Sequence, residues 1–311
     1  MASSSKKVIY AALAGNGLIA ITKFMAAAIT GSAAMISEGI HSAVDTTNQM
    51  LLLYGLRRSK KPADDLFPFG YGKEVYFWSF VVAILIFAVG AGISVYEGVH
   101  QLTNPRSIEN FMVNYIVLAF AMLFEGAAWL FAYKEFSKTM GRRGYIEAIR
   151  MAKNPSVFVV LFEDSAAMLG LLVAFLGILL GQLTGNTLYD GLASILIGLI
   201  LGATAIWLAY EIKGLLVGES ALPDVVEDIR RLANKHDEIE HVNEILTLHM
   251  GPEYILVNLS VDFKNAISAD RVEQTVQKLD REIKRAHPLV KRVFIEGEAR
   301  RSPDFADNRP G

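Results

Sequence analysis

His41 and Asp45 stand four residues apart within 32–56, a stretch otherwise apolar enough to cross a lipid bilayer. An ionisable group at the bilayer centre opposes insertion by about 2.5–3.5 kcal/mol, so its presence there asks for a function. Residues at i and i+4 project from one helical face. An imidazole and a carboxylate on one face can ligate a divalent cation, and both can carry protons. Further acidic residues lie in apolar surroundings: Glu125 within 111–133, and Glu163 and Asp164 within 156–180. A rise of about 1.5 Å per residue sets Asp45 roughly 16 Å, and Asp164 and Glu125 about 12 Å, from the ends of their segments. All three fall near mid-membrane. Tetrahedral zinc accepts imidazole nitrogen and carboxylate oxygen, and such a mixed set also admits manganese, iron or cobalt. Metal needs neutral imidazole and ionised carboxylate, so binding expels protons and protonation expels metal.

Helix geometry limits the choice of ligands. Glu163 and Asp164 are about 100° apart around their helix, so both face one ion only if that helix sits edge-on to it. The fourth position is therefore open between Glu163 and Glu125. Asn16, Asn48 and Gln49 read as hydrogen-bonding partners, Lys23 as a residue snorkelling from the outer end of its segment, and Glu38 as the lining of an outer vestibule.

The elements that must carry these groups are spanning helices. Windows of about 20 apolar residues mark six: 8–28, 32–56, 74–99, 111–133, 156–180 and 187–212. The first is expected to be a retained helix and not a cleaved signal. Lys6, Lys7, Arg57, Arg58, Lys60, Lys61, Lys134, Lys138, Arg142, Arg143, Arg150, Lys153 and Lys213 gather on one side, against Arg106 on the other. By the positive-inside rule both termini are cytoplasmic. A bacterial inner membrane is expected ahead of an organelle's.

Composition agrees. Of 311 residues 52% are hydrophobic, the net charge is −2, and there is no cysteine. Thiolate metal sites, disulfides and cysteine nucleophiles are excluded, and nothing suggests nucleic acid as a partner. No HExxH-type helix occurs at membrane depth, which argues against a membrane metalloenzyme. After Gly218 the chain turns polar. Its pattern is a helix 223–235, strands 242–250 and 254–263 about a Gly251-Pro252 turn, a helix 268–286 capped by Ser268, and a strand 290–296. The expected layout is a six-helix membrane domain at 1–217, an α+β domain of order αββαβ at 218–298 and a disordered tail at 299–311.

Three segments carry a family resemblance: Gly31-Ser-Ala-Ala-Met-Ile-Ser-Glu-Gly-Ile-His-Ser-Ala-Val-Asp45, Phe67-Pro-Phe-Gly-Tyr-Gly-Lys-Glu74 and Leu161-Phe-Glu-Asp-Ser-Ala-Ala-Met-Leu-Gly170. With the six-span layout, the chain resembles the cation diffusion facilitators, and the last segment looks most like their zinc-transporter-nine branch. The resemblance implies a ferredoxin-like cytoplasmic domain, a homodimer through the membrane and cytoplasmic domains, and metal–proton exchange by alternating access. It carries His41, Asp45 and Asp164 over as ligands. Val160 stands where the common pattern has His or Asp. Phe67 and Tyr71 stand where some members have loop histidines, leaving Asp64, and Asn258 and Glu296 stand where relatives bind further zinc. His249, Glu253 and Asp262 could join Glu296 in a cytoplasmic site. The function expected is export of zinc in exchange for protons. The alternatives are a manganese, iron or cobalt exporter, or a metal sensor or assembly protein that transports nothing.

Overall fold

The computed structural model describes residues 2–108, 110–140 and 155–300. Arg142, Arg143, Arg150 and Lys153, and the tail from 301, lie outside the described residues. The described residues fall into two compact units. One is built from residues up to Arg58 and from Glu74 to Lys213, the other from Ser59–Lys73 and from Gly214 onward.

The first unit is helical: α1 (Ala2–Thr30), α2 (Ala33–Arg58), α3 (Glu74–Leu85), α4 (Gly92–Thr103), α5 (Phe111–Met140), α6 (Pro155–Thr184) and α7 (Leu188–Val217). Among the described residues four stretches are long and apolar enough to cross a membrane: Glu74–Thr103, Phe111–Lys134, Phe158–Thr184 and Leu188–Val217. In α1 the apolar part among the described residues is the shorter Asn16–Thr30. The α2 helix is diluted by Glu38, His41, Asp45, Asn48 and its terminal arginines.

The stretch Glu74–Thr103 is not one regular helix. A π-helical segment, Ile86–Ala91, joins α3 to α4. The amide of Gly92 points back to the carbonyl of Phe87, and Gly90, Ala91 and Gly92 carry too little side chain to crowd the wider turn.

Short polar links fix how the helices meet. Gly31 takes φ +71°, which glycine adopts without strain, and turns α1 into α2. Asp190 of α7 caps α2 from outside. Its Oδ1 accepts from Ser32 Oγ at 2.5 Å and Ala34 N at 3.3 Å, and its Oδ2 accepts from Ala33 N at 2.6 Å. Ser194 Oγ donates to the carbonyl of Ser94 at 2.7 Å, which leaves Ser37 to donate to Ser194 at 2.6 Å. These bonds tie α2, α4 and α7 together. Small residues let α4 and α7 approach: a Cβ on Gly98 would run into Gly191 and Ile195, and one on Gly198 into Ala91 and Val95.

The second unit holds α8 (Pro223–Ala233), β1 (Ile239–Gly251), β2 (Tyr254–Phe263), α9 (Ala269–Ala286) and β3 (Val290–Gly297). The sheet runs β1-β2-β3, the first pair antiparallel and the second parallel. The parallel pair needs a crossover, and α9 supplies it. Ile229 and Ala233 of α8, Leu279 and Ile283 of α9, and Val257, Leu259 and Val261 of β2 form the core. In the same unit Asp64 organises the loop 59–73, accepting from Lys61 at 2.9 Å, from the Tyr71 hydroxyl at 2.6 Å and from the Phe67 amide at 2.9 Å. These bonds hold its carboxyl well below the usual carboxylate range, the Tyr71 hydroxyl contributing most.

Candidate functional site

Four helices of the first unit build the site: α1 packs on α2 and α5, and α6 on α2 and α5. On α2, Glu38, His41, Ser42, Asp45 and Asn48 recur at helical spacing along the face turned into the bundle. Glu38 and Asn48 have no exposure, and His41 is 1% exposed.

Asn16 of α1, Ser42 and Asp45 of α2, Glu125 of α5 and Asp164 of α6 line one cavity of about 10 Å³. That is close to the volume of a single water-sized sphere. Three of the residues singled out from the sequence, Asp45, Asp164 and Glu125, thus meet on one small space from three helices.

His41 stands beside this group. Its Nδ1 is 3.3 Å from Asp45 Oδ1, but neither ring nitrogen finds a hydrogen-bond partner among the described residues. Asp45 Oδ1 likewise makes no hydrogen bond among the described residues, and it faces His41 Nδ1 as an ion pair. Buried polar atoms are almost always satisfied, so His41 Nε2 is left open to a further partner. Glu163 is drawn elsewhere, its Oε1 accepting from Asn48 Nδ2 at 2.7 Å. Among the described residues no three His, Asp or Glu side chains come close enough to share one ion. Coordination by this set requires the helices or side chains to close further.

Lys23 has a different place from the one its sequence position suggests. It does not snorkel: it is fully buried, with Nζ 3.0 Å from Glu38 Oε2, 2.7 Å from Ser42 Oγ and 3.2 Å from Glu125 Oε1. Glu38 likewise lines no vestibule, since it is the buried partner of this ammonium. A signal for the pairing existed. Lys23 with Glu38, and Asn16 with Asp45, are symmetric about the Thr30–Gly31 link, as residues level with each other in a helical hairpin must be.

The candidates in the second unit do not gather. Along β1 and β2, His249 stands opposite Ile255 and His241 opposite Asp262, which separates His249 from Asp262 by about 23 Å at 3.3 Å per residue. Glu296 accepts from Asn258 at 3.3 Å, and Asp262 from the Arg300 amide at 3.1 Å.

Comparison with known proteins adds to this geometry. The family model described as the cation efflux transmembrane domain matches residues 9–217. The proton-coupled zinc antiporter SLC30A9, mitochondrial, of Xenopus laevis is 36% identical over 84% of this chain and 47% of its own length. Its Homo sapiens counterpart is 34% identical over 84% and 46%. The manganese efflux system protein MneP of Bacillus subtilis is 24% identical over 94% of this chain and 95% of its own. The chain spans about half the length of the two vertebrate relatives.

Proposed function

Because this chain belongs to the cation efflux family, we propose that it exports zinc from the cytoplasm in exchange for protons, at a site made by His41, Asp45 and Asp164 with Glu125. It is a multi-pass membrane transporter of a divalent metal cation and not an enzyme. The observation that carries the finer reading is the convergence of Asp45, Glu125 and Asp164 on one small cavity, beside an imidazole whose Nε2 has no hydrogen-bond partner among the described residues.

The chemistry needs no covalent step. Carboxylate oxygens and a neutral imidazole bind the cation, and the same atoms bind protons when it leaves. Alternating access would open the cavity to one side of the membrane at a time, and closure of the helices around the ion would bring the ligands within coordinating distance. Glu125 is preferred to Glu163 as the fourth ligand because Glu125 faces the cavity, whereas Glu163 is held by Asn48.

The architecture proposed with this function has α1 and α2 as two further spans, six in all, at 1–217. A ferredoxin-like cytoplasmic domain follows at 218–298. The protein would act as a homodimer with both termini cytoplasmic, in a bacterial inner membrane. The names of the two vertebrate relatives put those proteins in mitochondria, and the exchange chemistry is the same in either membrane.

Manganese is the second reading. Three carboxylates at the cavity make a hard, oxygen-rich set, which suits manganese better than zinc, and one relative is named for manganese efflux. The decisive experiment is metal-driven proton flux in proteoliposomes, run with zinc and with manganese. Asp45→Ala is expected to abolish it while the protein remains folded. Flux at the unsubstituted level in that variant would defeat the assignment.

A further inference from the structure

A lysine with no exposure inside a membrane bundle must satisfy three N–H donors, and Lys23 does so with Glu38, Ser42 and Glu125. The three partners are not equivalent. Glu38 is fully buried and does not line the cavity. Glu125 makes the longest of the three contacts, keeps 13% side-chain exposure, and faces the cavity with Asp45 and Asp164. One carboxylate therefore lies between a resident ammonium and the space proposed for the ion.

We infer that Lys23 is a positioning residue that competes with the transported cation for Glu125, so that Glu125 joins the ion only by giving up its contact with the ammonium. The inference rests on the site proposed above. When Glu125 swings away, Lys23 keeps Glu38 and Ser42 and is not stranded. The exchange sacrifices one charge-assisted hydrogen bond, stronger than a neutral one, and that sacrifice lowers the affinity for the cation. A transporter has reason to contain such a device, since an ion must bind well enough to enter and weakly enough to leave.

Substituting Lys23 alone would leave two buried carboxylates uncompensated, so the test removes the pair together. Calorimetry with zinc on the purified full chain is expected to show the double variant Lys23→Gln, Glu38→Gln binding at least about tenfold more tightly than the unsubstituted protein. Adding Glu125→Gln should erase the gain. In proteoliposomes KM and kcat should fall together, because the ion is held longer. A merely structural role for Lys23 would lower kcat without tightening binding. A folded double variant that binds zinc no more tightly than the unsubstituted protein would overturn the inference.

Infrared difference spectra, zinc-bound minus zinc-free, need no Lys23 substitution. They should contain a carboxylate band that Glu125→Gln removes, and identical spectra for the two proteins would also overturn the inference. Asp45→Ala separates this failure from that of the site. Zinc binding that survives Asp45→Ala would remove the site itself, and the role of Lys23 with it.

Discussion

Lys23 and Glu38 stand at mirror positions on either side of the Gly31 turn, and their ammonium and carboxylate meet at 3.0 Å with neither side chain exposed. A pair of this kind stabilises little in total, because desolvation offsets the attraction, but its halves depend on each other. Glu38→Ala is expected to lower unfolding stability by about 3 kcal/mol, since it leaves Lys23 with a single, more distant carboxylate. Thermal unfolding in detergent measures this. Replacing both residues by glutamine should cost less than replacing Glu38 alone.

Asp190 makes a second long-range link that can be tested through stability. Its carboxylate satisfies two amide donors at the start of α2 and the Ser32 hydroxyl, all buried. Asp190→Ala leaves those donors without partners, at a cost of roughly 2–4 kcal/mol. Asp190→Asn keeps one acceptor oxygen and should fall between the two in thermal unfolding. Recovery of full stability in the alanine variant would mean that water satisfies the donors and that α2 is not capped from α7.

Sequence reading reached the helical segments, the αββαβ succession of the second unit and the polar face of α2 because each rests on local periodicity. The residues 38, 41, 45 and 48 repeat at helical spacing whatever surrounds them. It did not reach the burial of Lys23, because a lysine near a helix end is equally compatible with snorkelling, and only the partner helices decide between the two. Glu163 is the same case. Nothing local distinguishes it from Asp164, yet Asn48 takes one and the cavity the other. The π-helical turn at Ile86–Ala91 escaped notice because its apolar residues fit a regular helix equally well.

The loop 59–73 should respond to acid in one direction. Hydrogen bonds from the Tyr71 hydroxyl, the Lys61 ammonium and the Phe67 amide lower the pKa of Asp64 in the folded loop. A depressed carboxyl stabilises its fold above the ordinary carboxylate range and loses that contribution as pH falls through the lowered value. The loop should therefore stay closed until pH is well below the point at which free aspartate protonates. Hydrogen exchange over 59–73, followed from neutral pH into acid, measures the opening. Asp64→Asn should expose the loop at neutral pH and flatten the dependence. An unchanged profile in that variant would show that the Lys61–Tyr71 contact, at 2.7 Å, holds the loop without Asp64.

The last prediction separates two adjacent carboxylates. Asp164 faces the cavity with Asp45 and Glu125, while Glu163 is not part of that lining and is bonded to Asn48 at 2.7 Å. Asp164→Asn replaces one anionic oxygen ligand with a neutral amide and should weaken zinc binding by about a hundredfold or more, the scale of a lost charge-assisted contact. Glu163→Gln keeps an acceptor for Asn48 and changes a residue outside the cavity lining, so it should weaken binding far less. Calorimetry with zinc and with manganese on both variants measures the difference. A larger loss at Glu163 than at Asp164 would mean that α6 turns by about 100° when the ion binds, and that the cavity described here belongs to a state that does not hold the metal.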